Sequence, residues 1–133
     1  MDCAVRLADI DDIDEIKKIA DQYKKEIGFI VWPIFTNSAK AGELFVAFYQ
    51  NQVAGFIRWH KRKDGWSTVY EICVDEKFRK LGIGNKLISR VPKPIRLKCP
   101  TDNQYNGFYR HLGFILTGQE SGRKRALNVW IKK

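Results

Sequence analysis

The stretch "RKLGIG", residues 79–84, sets two glycines one residue apart, behind two cations and ahead of an apolar run with helical spacing. A phosphate held at a helix start needs this combination: unpaired amides aimed at the anion, backbone it can approach closely, and positive charge. A tight turn between solvated cations has the same sequence. The helix dipole alone supplies at most ~2 kcal/mol, whereas micromolar binding needs about 8 kcal/mol. A ligand here must therefore also engage Arg79, Lys80 and a longer contact surface. Three other residues invite a chemical reading. Tyr109 carries a phenol with an ordinary pKa of ~10, protonated at neutral pH and able to donate a proton, or simply an aromatic packed on a sheet. Glu71 lies in the apolar stretch "VYEICV", where an ionised carboxylate is costly unless paired or used. It is the candidate general base, with Arg58 as the cation that would neutralise it instead. Cys73 has no evident histidine partner and reads as a small buried hydrophobe rather than an acyl carrier. His60, at a strand end, and His111, in the last turn of a helix, join no chemical constellation.

The elements that must position these groups are legible as periodic segments. "CAVRLAD" alternates as a strand, and Asp9 or Asp11 caps a helix with Asp12, Asp14 and Glu15 in its first turn. Ile13, Ile16, Ala20, Tyr23 and Ile27 give that helix one apolar face, and Gly28 ends it. Residues 28–42 show no clear period and read as a loop or short helix. "ELFVAFY" and "VAGFIRWHK" form a hairpin through Gln50–Asn51–Gln52, and "STVYEICVD" follows after the turn "KDG". A helix from Ile83 to Val91, stopped by "PKP", separates that strand from "IRLKC", so the two strands should be parallel. "NQYNGFYRHL" is helical and ends at Gly113. "FILTGQ" and "ALNVWIK" close the chain as a hairpin around "ESGRKR". The predicted fold is a single α/β domain over residues 1–133, with a mixed, mostly antiparallel sheet of about seven strands and helices on both faces.

Composition narrows the function classes. Residues 1–50 carry 6 basic and 9 acidic side chains, and residues 51–133 carry 18 and 6, so the positive excess lies entirely in the part that holds the glycines. Such a field attracts a nucleotide cofactor, a nucleic acid or an acidic surface, or serves only as a solubilising surface. No apolar run approaches the ~20 residues of a membrane span, and the N-terminus is too acidic for a signal peptide. Three cysteines without a CxxC pair indicate neither a disulfide framework nor a zinc site, and a reduced, cytoplasmic protein without a metal fits best.

The same residues resemble a family, the GCN5-related N-acetyltransferases (GNAT). Their signature, Arg/Gln-x-x-Gly-x-Gly/Ala after the fourth strand, is matched in full by Arg79 to Gly84. "FYRHLGF", residues 108–114, is similar to the family's Tyr-x-x-x-Gly-Phe helix end, and the order of elements agrees with its topology. The resemblance implies an acetyl-CoA-dependent enzyme that acetylates a primary amine by direct attack in a ternary complex. The amides of Lys80, Leu81, Gly82, Ile83, Gly84 and Asn85 would hold the pyrophosphate, with charge from Arg79 and Lys80. The backbone of Ile72, Cys73 and Val74 would pair with the pantetheine arm, between splaying fourth and fifth strands, with the Val74 amide as oxyanion donor. Asn103 or Asn106 would contact the cofactor. The family's Asn usually lies about seven residues before the tyrosine, and neither position keeps that spacing. Tyr109 would be the acid, beside the cofactor.

The acceptor would lie between residues 28–42 and the last hairpin, walled by Trp32, Phe35 and Trp59. A rival reading is a nucleic-acid-binding module, or acetylation of an RNA-linked amine. It rests on the basic turns Lys61–Lys63 and Arg123–Arg125, with Trp59, Trp66 and Tyr70 as stacking platforms. A monomer and a homodimer both fit the sequence, which does not name the acceptor.

Overall fold

The computed structural model describes residues 3–133. The chain runs through β1 (Cys3–Leu7), α1 (Ile13–Gln22), α2 (Lys24–Ile27), α3 (Trp32–Lys40), β2 (Leu44–Tyr49), β3 (Gln52–Lys61) and β4 (Ser67–Val74). It continues through α4 (Ile83–Ser89), β5 (Ile95–Pro100), α5 (Tyr105–His111), β6 (Ile115–Ser121) and β7 (Ala126–Lys132). The seven strands form one sheet in the order β1-β2-β3-β4-β5-β7-β6. All neighbours are antiparallel except β4 and β5, which are parallel, as the intervening helix requires.

A 3-10 turn over Ile10–Asp12 leads into α1, and the acidic cluster caps that turn rather than α1 itself. Asp9 accepts from the Asp11 amide at 2.9 Å, and Asp12 returns the bond by accepting from the Asp9 amide at 2.9 Å. Arg6 clamps the same Asp12 carboxylate at 2.7 and 3.0 Å. Burial pushes the Asp12 pKa up, but the Arg6 and Asp9 hydrogen bonds outweigh it and hold the carboxyl below its usual value. A group lowered on folding contributes stability above its unfolded pKa, about 4, and loses it as pH falls through the folded value. Arg6 is half exposed, so Arg6→Ala should cost only about 1 kcal/mol at neutral pH. In urea melts the gap to the wild type should close as the pH falls through the carboxylate range.

The β2–β3 hairpin turns at Gln50 and Asn51, both with positive φ (50° and 65°), the geometry of a tight turn matched to strand twist. On one face of the sheet Ile13, Ile16, Ile19 and Phe35 from α1 and α3 pack against Leu44, Val46, Phe56 and Cys73. On the other, Ile83, Leu87 and Ile88 of α4 and Tyr105 and Tyr109 of α5 cover Ile57, Val69, Ile72, Leu97 and Trp130.

Residues 28–42 are more ordered than their lack of period suggests. Pro33 sits in the first turn of α3, where its missing N–H costs nothing, so it starts the helix rather than breaking it. Helix α4 stops at Ser89, two residues short of the expected end, and α5 spans 105–111 within the expected 103–112.

Candidate active site

The site begins where β4 and β5 part. They are paired only at Ser67–Ile95 and Thr68–Arg96, after which β5 turns to β7 and the β4 edge has no strand beside it. The Asp75 amide bonds the Ala54 carbonyl of β3 at 2.8 Å. Alternation along the strand therefore directs the Cys73 amide to β3 and those of Ile72 and Val74 into the gap. Of the three residues expected to pair with a cofactor arm, Ile72 and Val74 turn their amides into the gap and Cys73 does not. Gly55, opposite Val74 on β3, permits the close strand approach: a Cβ there would lie 2.5 Å from the Cys73 carbonyl oxygen.

A cavity of about 390 Å³ opens below this edge. Its floor is the loop between β4 and α4, in which Lys80 (φ 66°) and Gly82 (φ 79°) both adopt left-handed backbone and Gly82 caps α4. The helix ladder begins with the Lys86 amide on the Gly82 carbonyl, so the amides of Ile83, Gly84 and Asn85 have no acceptor within the helix. Gly84 is also a packing necessity, since a Cβ there would come within 3.0 Å of the Phe108 ring. Free amides, an open approach at Gly82 and the Lys80 ammonium suit a phosphate group.

Val74, Arg79, Lys80, Gly82, Ile83, Gly84 and Asn85 all line this cavity. Leu81 does not, and is partly exposed beside it. Arg79 is spent on the protein: its Nε donates to the Val74 carbonyl at 3.0 Å, and its guanidinium lies 4.9 Å over Tyr23. It braces the end of β4 rather than standing free for an anion. Sequence reasoning missed the opposite wall, formed by Gln104 at the N-cap of α5 and by Tyr105, Phe108 and His111 of the helix. Their spacing of three and four along one helix face was the available signal.

Neither asparagine borders this cavity. Asn103 accepts from the Tyr105 amide at 2.8 Å and donates to the Glu26 carbonyl at 3.0 Å, tying α5 to α2. Asn106 is a structural hub, correcting its expected cofactor role. It donates to the Pro100 and Asn103 carbonyls, both at 2.8 Å, and its Oδ1 accepts from Asn128 (3.1 Å) and the Trp130 indole (2.9 Å). Asn106→Ala should therefore lower stability by about 2 kcal/mol, the cost of orphaning buried donors. A urea melt should show this loss, and a titration an unchanged affinity for CoA.

A second cavity, about 450 Å³, lies on the other side of the gap, between the α2 end (Lys25–Gly28) and the β6–β7 turn. Tyr109, Glu71 and Cys99 line its buried end, and Tyr105 borders both cavities. Tyr109 faces this second cavity and is absent from the lining of the first. Burial, reinforced by Cys99 and Tyr105, pushes the Tyr109 phenol well above the ordinary tyrosine range, and burial does the same to Tyr105. Both hydroxyls stay protonated through neutral pH. Burial pushes the Cys73 thiol up to about 12, so it is no nucleophile, in line with its reading as a small hydrophobe. Glu71 is held by Arg58 through two hydrogen bonds, 2.7 Å from Nε and 2.8 Å from Nη2. That geometry realises the ion pair and leaves the carboxylate little freedom to act as a base.

The expected acceptor wall needs correction too. Phe35 is fully buried, edge-on to Phe56, because α3 turns it into the core. Trp59 is buried and stacked on Phe45. Trp32 is 41% exposed but borders neither cavity. The turn of the last hairpin forms one wall of the second cavity, and residues 25–28 form the other. As stacking platforms for nucleic acid, Trp59 is inaccessible, and Tyr70 and Trp66 carry the guanidinium groups of Arg58 and Arg96 at 4.4 and 5.3 Å.

The mixed sheet thus splays between its parallel strands, with a glycine-rich loop on one side of the gap and a second cavity on the other. The family model for the acetyltransferase (GNAT) domain matches residues 40–116, and the chain belongs to that family, an acyltransferase class. Among solved structures, Ard1 from Thermoplasma volcanium is similar over 99% of this chain and 97% of its own, at 20% identity and TM-score 0.81. Arabidopsis thaliana Naa50, in complex with the bisubstrate analogue CoA-Ac-MVNAL, covers 100% and 99% at 20% identity and TM-score 0.77. The PaiA N-acetyltransferase from Thermoplasma acidophilum, in complex with coenzyme A, covers 99% and 100% at 14% identity and TM-score 0.77. At these identities the likeness is one of fold. No curated protein sequence matches the chain significantly.

Proposed function

We propose that the protein transfers an acetyl group from acetyl-CoA to a primary amine by direct attack in a ternary complex. One observation carries this reading: β4, unpaired with β5 beyond Thr68, lines one cavity through Val74 and the other through Tyr70 and Glu71, and Tyr105 borders both. The amides of Ile83, Gly84 and Asn85, with Lys80, hold the pyrophosphate. The Ile72 and Val74 amides receive the pantetheine arm and the thioester carbonyl, and Leu81 and Cys73 support the loop and strand without direct contact. The acceptor nitrogen enters from the second cavity and attacks the thioester carbonyl carbon. A C–N bond forms, the C–S bond breaks, the Tyr109 hydroxyl gives a proton to the departing thiolate, the amine loses its proton to water in the open cavity, and Tyr109 regains a proton from that water. Glu71, fixed by Arg58, orients the amine as a hydrogen-bond acceptor. The domain occupies residues 1–133, and its three free cysteines suit the reducing cytoplasm that supplies acetyl-CoA. Naa50's peptide-containing bisubstrate analogue supports an amine acceptor. The test follows CoA thiol release with peptide, polyamine and lysine-containing acceptors. Release that depends on the amine and yields an acetylated product supports the proposal, whereas release independent of any amine overturns it.

A further inference from the structure

The second cavity is polarised from its floor to its mouth. Its buried end holds Tyr109 and Glu71, the latter neutralised by Arg58. Its mouth is ringed by exposed cations: Lys25 on the α2 side, and Arg123 and Lys124 in the β6–β7 turn opposite. Among the described residues these three form no ion pair, whereas the neighbouring Lys98 and Arg125 are taken by Glu120 at 2.8 Å and Asp102 at 3.3 Å. Half-buried Glu26 is the lining carboxylate without an ion-pair partner, well placed to receive an ammonium as it enters.

We infer that this cavity selects the N-terminal amine of a peptide whose following residues are acidic, a conclusion that rests on the acetyl-transfer reading above. The amine must reach the floor, where the β4 edge is open, while the free cations wait at the rim. The anionic groups of the acceptor therefore sit several bonds away from its nitrogen. A free α-amino acid does not fit, because its carboxylate, one carbon from the amine, would lie among groups that offer no free cation. A nucleic acid fits poorly, because Tyr70, the exposed aromatic in the lining, already carries the Arg58 guanidinium. Lys25, Arg123 and Lys124 are thus specificity-determining residues. Because they are solvent-exposed, they act through an additive, salt-sensitive field rather than through one strong pair.

Three synthetic peptides with the same length and first residue, and with Glu, Gln or Lys at the positions that follow, supply the test. The acidic peptide should be acetylated with kcat/KM about ten-fold above the Gln peptide, mostly through KM, and the Lys peptide should be poorest. Arg123→Glu/Lys124→Glu, and separately Lys25→Glu on the opposite wall, should erase that order while calorimetry shows CoA affinity unchanged. Raising the salt concentration should compress the preference in the wild type alone. Equal turnover of the three peptides, a preference that survives charge reversal, or faster turnover of free acidic amino acids would overturn the inference. So would salt-sensitive RNA binding by these cations without peptide turnover. If CoA binds but no peptide is acetylated, the inference fails and the cofactor site stands. If CoA does not bind, the acetyl-transfer reading fails and the inference with it.

Discussion

Tyr109→Phe should lower kcat by about 10²-fold, the usual contribution of a positioned proton donor, with little change in the KM for acetyl-CoA. The ring that packs against Tyr105 and Phe114 is retained, so the variant should melt like the wild type. Because burial raises the Tyr109 phenol above the ordinary tyrosine range, wild-type activity should not decline as the pH passes the ordinary tyrosine value of about 10 through loss of this proton. Tyr105→Phe is the informative control, since its residue borders both cavities. A full loss in Tyr105→Phe and none in Tyr109→Phe would move the donor one helical turn. Steady-state kinetics over a pH series reads both outcomes.

Arg58→Ala should be the most destabilising of these substitutions, by about 3–5 kcal/mol, because it leaves Glu71 buried without a counter-charge. Glu71→Gln separates structure from chemistry. If Glu71 only orients the acceptor, the variant loses stability and its KM for the amine rises, while kcat holds within a few fold. If Glu71 is the general base, kcat falls by about 10²-fold or more even where the protein remains folded. Replacing both residues by apolar ones of similar volume should recover much of the stability, as buried ion pairs often allow. Chemical denaturation and saturation kinetics on the three variants decide between these outcomes.

Much of this architecture is legible in the sequence because its signals are local. Apolar, aromatic-rich runs between turn signals mark β2, β3 and β4, Gln50–Asn51 marks the hairpin turn, and paired glycines mark the α4 start. The crossover through α4 dictates the parallel pairing of β4 and β5, and so the gap on which the site depends. What stays hidden is set by tertiary direction. Nothing local distinguishes Phe35, turned into the core by α3, from Trp32, left half-exposed three residues earlier on the same helix. Asn106 matches a family-like role by type, but the buried Trp130 indole and Asn128 amide of β7, distant in sequence, claim it. Arg79 matches the phosphate-binding motif, yet its nearest acceptor is the Val74 carbonyl that it braces. The α5 wall of the first cavity was readable in principle from helical spacing, but only once that helix was known to face α4.

The central claim is that the loop at residues 80–85 is an anion cradle for acetyl-CoA, and calorimetric titration of the wild type and of Gly82→Trp tests it most directly. Gly82 has φ 79° and open space where a Cβ would stand, so a bulky side chain there projects towards the approach rather than into the core. The account predicts that the wild type binds acetyl-CoA and CoA with a micromolar dissociation constant, worth about 8 kcal/mol. It also predicts that Gly82→Trp, shown to be folded by circular dichroism, loses both. No binding by the wild type, or full affinity retained in the folded variant, would contradict it.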